Sequence, residues 1–191
     1  METTENNKDM TENTENQFCV ETIRWLAGHL GTDASGIEAI FNESNAKLFM
    51  FIWPVFEKEV FRKNMTINKI DGRSRMFKNY HQKLDLECMT RRFHARYKSC
   101  NEVYQQLINR ESKNSDESIE RIFNEKYDDL LLCDKMKLLF FVTYRYRNNI
   151  FHGNKNILSW PDYKEQIRDC ITFMIKIIDI NNLIKNRKTP Q

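Results

Sequence analysis

The stretch LLFFVTYRYRNNIFHGNK, residues 138–155, carries more structural information than any other part of the sequence. It opens with five aliphatic or aromatic residues, as expected for a helix buried in a protein core, and then becomes basic and polar. Polar groups beside a buried run need hydrogen-bond partners or must face a cleft. The simpler explanation is that they cap and solvate the end of a helix, where cations gain slightly from the helix dipole. The alternative is that they form a functional site.

Outside this stretch the sequence also predicts helices. The chain of 191 residues has 5 glycines and 3 prolines, and no segment shows a convincing alternation of apolar and polar residues. So few chain breakers argue against a β-sandwich, a barrel or a turn-rich repeat array. The predicted fold class is all-α, a helical bundle of about six or seven helices.

The chain divides into two regions of different composition. Residues 1–17 carry five acids and one base, and their only apolar side chains are methionines, so we predict a disordered acidic tail. Residues 18–191 are predicted to form a single helical domain, with a net charge of +7 because the whole chain carries +3 and the tail −4. Residues 43–62 are the most apolar helix and are expected to be central, whereas residues 63–75, with Asp71-Gly72, are predicted to be a loop. The other predicted elements are helices at 18–30, 34–42, 76–87, 88–110, 115–130 and 131–149, a polar linker at 112–118 and a last helix opened by residues 159–162.

The string RNNIFHG, residues 147–153, resembles the R-x4–6-H motif of the HEPN domain family, in its common R-N-x-x-x-H form followed by glycine. The motif stands near the end of a long apolar helix with one more long helix behind it, and residues 47–60 are more loosely similar to the aromatic early helix of the family. The resemblance implies a helical bundle and, as in many members, a metal-independent endoribonuclease whose two protomers form one composite cleft. The settings that it implies are toxin–antitoxin pairs, abortive infection and CRISPR-linked defence.

The resemblance also implies roles for individual residues. Arg147 and His152 would be the catalytic pair, and Asn148 would shape the site. An imidazole can take or give a proton near neutral pH, and a guanidinium offers a rigid fork of donors to phosphate oxygens. RNA carries its own nucleophile, the 2′-hydroxyl, so the expected product is a 2′,3′-cyclic phosphate, and no metal or other cofactor is expected. The predicted substrate-binding residues are Arg145, Asn149 and Lys155.

Helical geometry leaves the choice of arginine open. Residues five apart on an ideal helix are separated by about 140°, so Arg147 and His152 share a face only if the helix distorts or a second subunit completes the site. Arg145 lies on the same face as His152 and also satisfies the R-x6-H form. The R-N form favours Arg147, which we take as the catalytic arginine. Asn154 stands where family toxins that a nucleotidyltransferase inactivates often carry tyrosine, so inactivation of that kind is not expected.

The expected partners are RNA, such as tRNA or mRNA, a second copy of the chain in a homodimer, and an antitoxin or defence-system protein. The longest near-apolar run, residues 48–56, is too short to span a bilayer, and the five cysteines are scattered as in a reduced protein. We therefore expect no membrane partner and a cytoplasmic location. The alternative function is a catalytically inactive HEPN-like adaptor for RNA or nucleotide binding or for dimerisation. The third hypothesis is an unrelated helical interaction protein.

Two other groups have both a functional and a structural explanation. Residues 91–98 interleave basic and aromatic side chains, which suits RNA binding. An exposed helix face with Phe93 and Tyr97 turned inward explains the same pattern more simply. Glu57 could orient the catalytic side chains, although a surface salt bridge is the more common role for such a residue.

Overall fold

The computed structural model describes residues 3–99, 101–108, 117–151 and 157–187. Every regular element in these ranges is helical, which confirms the all-α fold class. Nine α-helices lie in the described residues, more than the six or seven predicted. They are α1 (Thr3–Leu30), α2 (Ala34–Asn42), α3 (Ser44–Phe61), α4 (Ile67–Phe77), α5 (Glu87–Ser99), α6 (Asn101–Ile108), α7 (Glu117–Asn124), α8 (Leu132–Phe151) and α9 (Lys164–Arg187). Three 3₁₀ helices lie between them at Lys78–Tyr80, Tyr127–Asp129 and Ile157–Tyr163.

The junction between α1 and α2 follows the local sequence signals closely. Gly31 adopts a left-handed φ of 66°, and the next amide, that of Thr32, donates to the carbonyl of Ala27 at 3.0 Å. This is a Schellman motif, which needs a residue that tolerates positive φ after the last helical turn. Asp33 then caps α2 by accepting a hydrogen bond from the amide of Gly36 at 2.8 Å. The predicted end of the first helix and both ends of the second are therefore confirmed.

The predicted disordered tail differs from the structure, in which α1 begins at Thr3. Residues 1–17 contain neither glycine nor proline, so nothing in their backbone stops a helix from extending backwards. The anchor lies further along, where Ile23, Leu26 and Leu30 pack against a small cluster with α2. Continuity with this anchored helix therefore predicts the backbone conformation of the segment better than its polar composition does.

Helix α8 is the centre of the fold. It contacts α4, α5, α6, α7 and α9, and its Phe140 is fully buried. The Phe140 ring lies 6.2 Å from the ring of Phe56 on α3 and 5.0 Å from that of Phe173 on α9. Helix α3, which the sequence predicts to be central, instead buries one face and leaves another exposed. It continues through Pro54 without a break.

Helices α3 and α9 run parallel to each other. At their starts, Asn45 Nδ2 donates to the carbonyl of Lys164 at 3.4 Å. At their ends, Asn181 Nδ2 donates to the carbonyl of Glu59 at 2.9 Å, and Lys185 pairs with the Glu59 carboxylate at 2.7 Å. The pairing holds together two segments that lie far apart in the chain.

The predicted loop at residues 63–75 is wrong, because α4 occupies residues 67–77. Ile70, Ser74 and Phe77 recur at helical spacing and are buried. Asp71 lies inside the helix and pairs with Lys137 of α8 at 2.6 Å. Gly72 is also helical, which costs only about 1 kcal/mol relative to alanine.

Three other helix bounds also differ from the predictions. Most of the predicted helix at 76–87 is a 3₁₀ helix followed by turns, and the predicted helix at 88–110 is divided into α5 and α6. Helix α7 ends at Asn124, where the sequence predicts about residue 130. Residues 112–116 of the predicted linker lie outside the described residues.

Candidate active site at the end of helix α8

The last turns of α8 carry the described part of the RNNIFHG motif. Arg147, Asn148 and Asn149 belong to this helix, which is described as far as Phe151. His152 and Lys155, together with Gly153 and Asn154, lie outside the described residues. The convergence of Arg147 and His152 on one site therefore stays a prediction.

Arg147 is half-buried and faces α3. Its Nη1 donates to the side-chain oxygen of Asn148 at 3.0 Å. Its guanidinium carbon lies 5.7 Å from the centre of the Trp53 ring, within the range of a cation–π contact. These two contacts hold the guanidinium at the end of the helix that leads into His152.

Arg145 points the other way, because residues two apart on a helix are separated by about 200°. Its side chain is only 6% exposed, and its Nε donates to the carbonyl of Leu107 at 2.6 Å. That carbonyl belongs to the last turn of α6, where carbonyls have no partner within their own helix. Burial lowers the pKa of Arg145 from its ordinary value. The sequence predicts that Arg145 contacts phosphate. In the structure its guanidinium is instead enclosed and caps the end of α6.

Asn149 is the least exposed residue of the described motif, at 2%. Neither its Nδ2 nor its Oδ1 has a hydrogen-bond partner among the described residues. A buried polar group left unpaired costs roughly 1–3 kcal/mol, so an unpaired amide in a folded protein calls for an explanation. Asn149 is therefore enclosed at the end of α8, and its role in substrate binding stays a prediction.

A contact between two tyrosines behind the motif is not predicted by the sequence. Tyr97 of α5 donates its hydroxyl to that of Tyr146 on α8 at 3.2 Å. Both side chains are buried, and burial raises the pKa of each well above its ordinary value of 10.0. They are therefore neutral at physiological pH and fix α8 against α5 rather than supplying charge. No local pattern signals this pair, since its members are 49 residues apart.

The basic and aromatic segment 91–98 of α5 is used in structural contacts. Phe93 and Tyr97 are buried, as the simpler explanation predicts. Arg92 pairs with Asp169 of α9 at 2.8 Å, and Arg91 pairs with Asp128 at 2.9 Å. Lys98 donates to the carbonyl of Glu125 at 2.8 Å, just beyond the end of α7. The cations of this segment therefore join α5 to its neighbours.

Glu57 has a local partner. Its Oε1 accepts a hydrogen bond from the backbone amide of Met65 at 2.9 Å, which ties the segment after α3 back to the helix. The prediction that Glu57 orients Arg147 or His152 gains no support from this contact. The alternative was a surface salt bridge, whereas the partner found here is a backbone amide.

Comparison of the chain with protein-family models, with curated proteins and with solved structures found no significant match. The HEPN resemblance therefore rests on the sequence motif and the helical layout. Among the described residues, no three histidine, cysteine or acidic side chains lie together as metal ligands. In the same ranges, no helix has the length and apolar character that crossing a membrane requires.

Proposed function

We propose that the protein is a metal-independent endoribonuclease of HEPN type, with Arg147 and His152 as its catalytic pair. The observation that carries the proposal is the placement of Arg147, which is bound to Asn148 and lies against Trp53 in the turns leading into His152. A guanidinium held in advance stabilises developing charge better than one that must be ordered during the reaction. The setting that we propose is a toxin–antitoxin pair or anti-phage defence.

The proposed reaction is an internal transesterification of RNA. The 2′-oxygen attacks the adjacent phosphorus while its proton passes to an imidazole, and the bond from phosphorus to the 5′-oxygen breaks. The leaving 5′-oxygen takes a proton, which gives a 2′,3′-cyclic phosphate and a 5′-hydroxyl. Arg147 would bind the non-bridging oxygens as charge accumulates on them. In a homodimer, one His152 would accept the first proton and the other would donate the second.

We prefer Arg147 to Arg145 as the catalytic arginine because the two side chains have different surroundings. Arg145 is buried and engaged with the carbonyl of Leu107, so its loss would disturb the packing of α6. Arg147 is half-buried and contacts Asn148 of its own turn and the Trp53 ring on α3. The R-N form of the motif and the different burial of the two arginines therefore both favour Arg147 as the catalytic arginine.

The test is cleavage of total RNA or tRNA by purified protein in EDTA. We expect the wild-type chain to release fragments ending in 2′,3′-cyclic phosphate. His152→Ala and Arg147→Ala should each lower the rate by roughly 10²–10⁴-fold. Arg168→Ala, at an exposed position on α9, is the matched control and should cleave like the wild type. Equal activity of the wild type and both motif variants would refute the assignment.

One observation favours the adaptor as a second candidate function. Leu48, Phe51 and Val55 form an exposed apolar face on α3, with Phe51 76% exposed. Phe51 and Trp53 are two residues apart, so this face points away from the side of α3 that meets Arg147. A partner could cover it without covering the motif. Binding of RNA with no cleavage, by wild-type protein that is fully folded, would favour the adaptor.

A further inference from the structure

A second region of concentrated charge lies where α3 ends and α4 passes beside it. Arg62, Lys69 and Arg73 line a cleft of about 500 Å³, together with Phe61 and Gly72. We call it the basic cleft. It is separate from the candidate active site, since Phe61 lies eight residues after Trp53, or about 12 Å along the helix axis.

The three cations of the basic cleft have no carboxylate partners among the described residues. None of Arg62, Lys69 and Arg73 forms an ion pair there. The acids near them in sequence are engaged elsewhere. Asp71 pairs with Lys137 of α8, and Glu59 pairs with Lys185 of α9. The positive charge of the cleft is therefore not neutralised by the fold.

Two of the cations, Arg73 and Lys69, are also held by contacts that leave their charge uncompensated. The Arg73 guanidinium carbon lies 5.8 Å from the centre of the Phe61 ring, and its Nη1 lies 3.3 Å from the sulfur of Met76. Lys69 donates to the carbonyl of Asn64 at 2.8 Å. Arg62 ends α3 with a left-handed φ of 56°. Burial lowers the pKa of Arg73, and the positive charge of Arg62 lowers it further, so the two guanidinium groups repel each other.

Gly72, which lines the cleft, contributes no side chain to it. It lies in the interior of α4, where alanine would be the better helix former, and a β-carbon at this position would meet no atom within 4 Å. The space that a side chain could occupy is thus free for a ligand. Three cations without carboxylate partners, the repulsion between two of them and the open volume together fit an anion better than any neutral ligand.

We propose that the basic cleft is a phosphate-binding site, which receives the phosphate groups of a polyphosphate or of an RNA backbone. Several donors from Arg62, Lys69 and Arg73 can bind non-bridging oxygens at once, and the bound charge relieves the repulsion between the cations. The site does not depend on the proposed ribonuclease activity. Two probes distinguish the source of the phosphates: tripolyphosphate, and an oligouridylate with 2′-O-methyl groups that cannot undergo internal attack.

The experiment measures binding of both probes to the full-length protein at low salt. Arg73→Gln removes one cation, and Gly72→Glu places a carboxylate in the open space without removing any cation. Each should weaken binding roughly three- to tenfold, as expected for one partly exposed charge contact. For the oligouridylate, Arg73→Gln should also reduce the salt dependence by about one phosphate contact. Arg75→Gln, an exposed position on the same helix, and Gly72→Ala are the matched controls and should bind within about twofold of the wild type.

Each result has a defined meaning. Binding of the oligouridylate alone supports an RNA backbone as ligand, and binding of tripolyphosphate supports a free polyphosphate. Failure of both probes to bind overturns the proposal. So does equal binding by the wild type and both cleft variants, or an equal loss with Arg75→Gln, which would indicate general charge attraction. If Arg73→Gln does not fold, as judged by circular dichroism, Gly72→Glu tests the same cleft.

Discussion

The His81 side chain is completely buried and has one good hydrogen bond. Thr90 donates its hydroxyl to the carbonyl of Leu86, so its oxygen accepts the bond from His81 Nε2 at 2.8 Å. The other ring nitrogen, Nδ1, has no hydrogen bond among the described residues and lies 3.8 Å from the Glu87 carboxylate. Burial lowers the pKa of His81, Lys135 lowers it further, and the nearby Glu87 opposes this only in part. His81 is therefore neutral in the folded chain at neutral pH.

This burial predicts a loss of stability in mild acid. Because the folded pKa of His81 lies below its ordinary value of 6.5, the unfolded chain takes up the proton first. The contribution of His81 to the free energy of unfolding is complete above about pH 6.5 and falls as the pH drops towards the folded pKa. Urea unfolding between about pH 7.5 and pH 5 should show this fall, and His81→Gln should make it shallower.

The same exchange at the exposed His29 is the control for the chemical change itself. His94 should add to the fall in the wild type, because burial also lowers its pKa while its Nε2 donates to the carbonyl of Ile122. A slope in His81→Gln as steep as that of the wild type would show that His81 is not held neutral.

At the scale of elements, side chains from distant parts of the chain bind carbonyls in the last turns of helices. Arg145 binds the carbonyl of Leu107 on α6, and Asn181 binds that of Glu59 on α3. The last carbonyls of a helix lack partners within it, so such contacts satisfy groups that burial would otherwise leave unpaired. They also fix the position of one helix relative to another.

We expect Arg145→Met to destabilise the fold through α6. The substitution keeps much of the side-chain volume but leaves the Leu107 carbonyl without its donor, at a cost of about 1–3 kcal/mol. Urea unfolding measures this loss, and Arg168→Met at the exposed position on α9 should change stability by less than about 0.5 kcal/mol. The folded fraction of Arg145→Met should still cleave RNA. A variant as stable as the wild type but inactive would instead make Arg145 the catalytic arginine.

Helices with clear capping residues at their ends could be predicted from the sequence, and helices without them could not. Asp33 and Gly31 fix α2 and the end of α1 by local chemistry, which the sequence displays directly. Helix α4 was missed because Asp71-Gly72 is typical of a turn, whereas the buried face formed by Ile70 and Phe77 outweighs the helix propensity lost at Gly72.

The candidate site could be predicted only in part. The motif predicts a site at the end of α8 that includes Arg147. The role of Arg145 depends instead on Leu107, which is 38 residues away. No pattern within the motif reveals that contact. The position of His152 remains a prediction from the sequence.

At the scale of the whole molecule, the exposed apolar face of α3 predicts association. Phe51→Glu should leave the free energy of unfolding within about 0.5 kcal/mol of the wild type, since the ring makes few contacts in the isolated chain. If a second copy covers this face, the charge should shift the protein towards the monomer in sedimentation equilibrium. Phe41→Glu, on the exposed side of α2, is the control. A wild-type chain that is monomeric at every concentration would show that the face does not join two copies.

The parallel pairing of α3 with α9 has a consequence for how the chain is made. The residues in contact at the two ends of this pair are 119 and 122 positions apart. At about 5–20 residues per second, a ribosome needs roughly 6–24 seconds after completing α3 to synthesise its partner. Throughout that interval the aromatic face of α3, including Phe56, lacks its final cover. We therefore expect the nascent chain to expose an apolar helix face during this interval, which chaperones that bind apolar segments can shield.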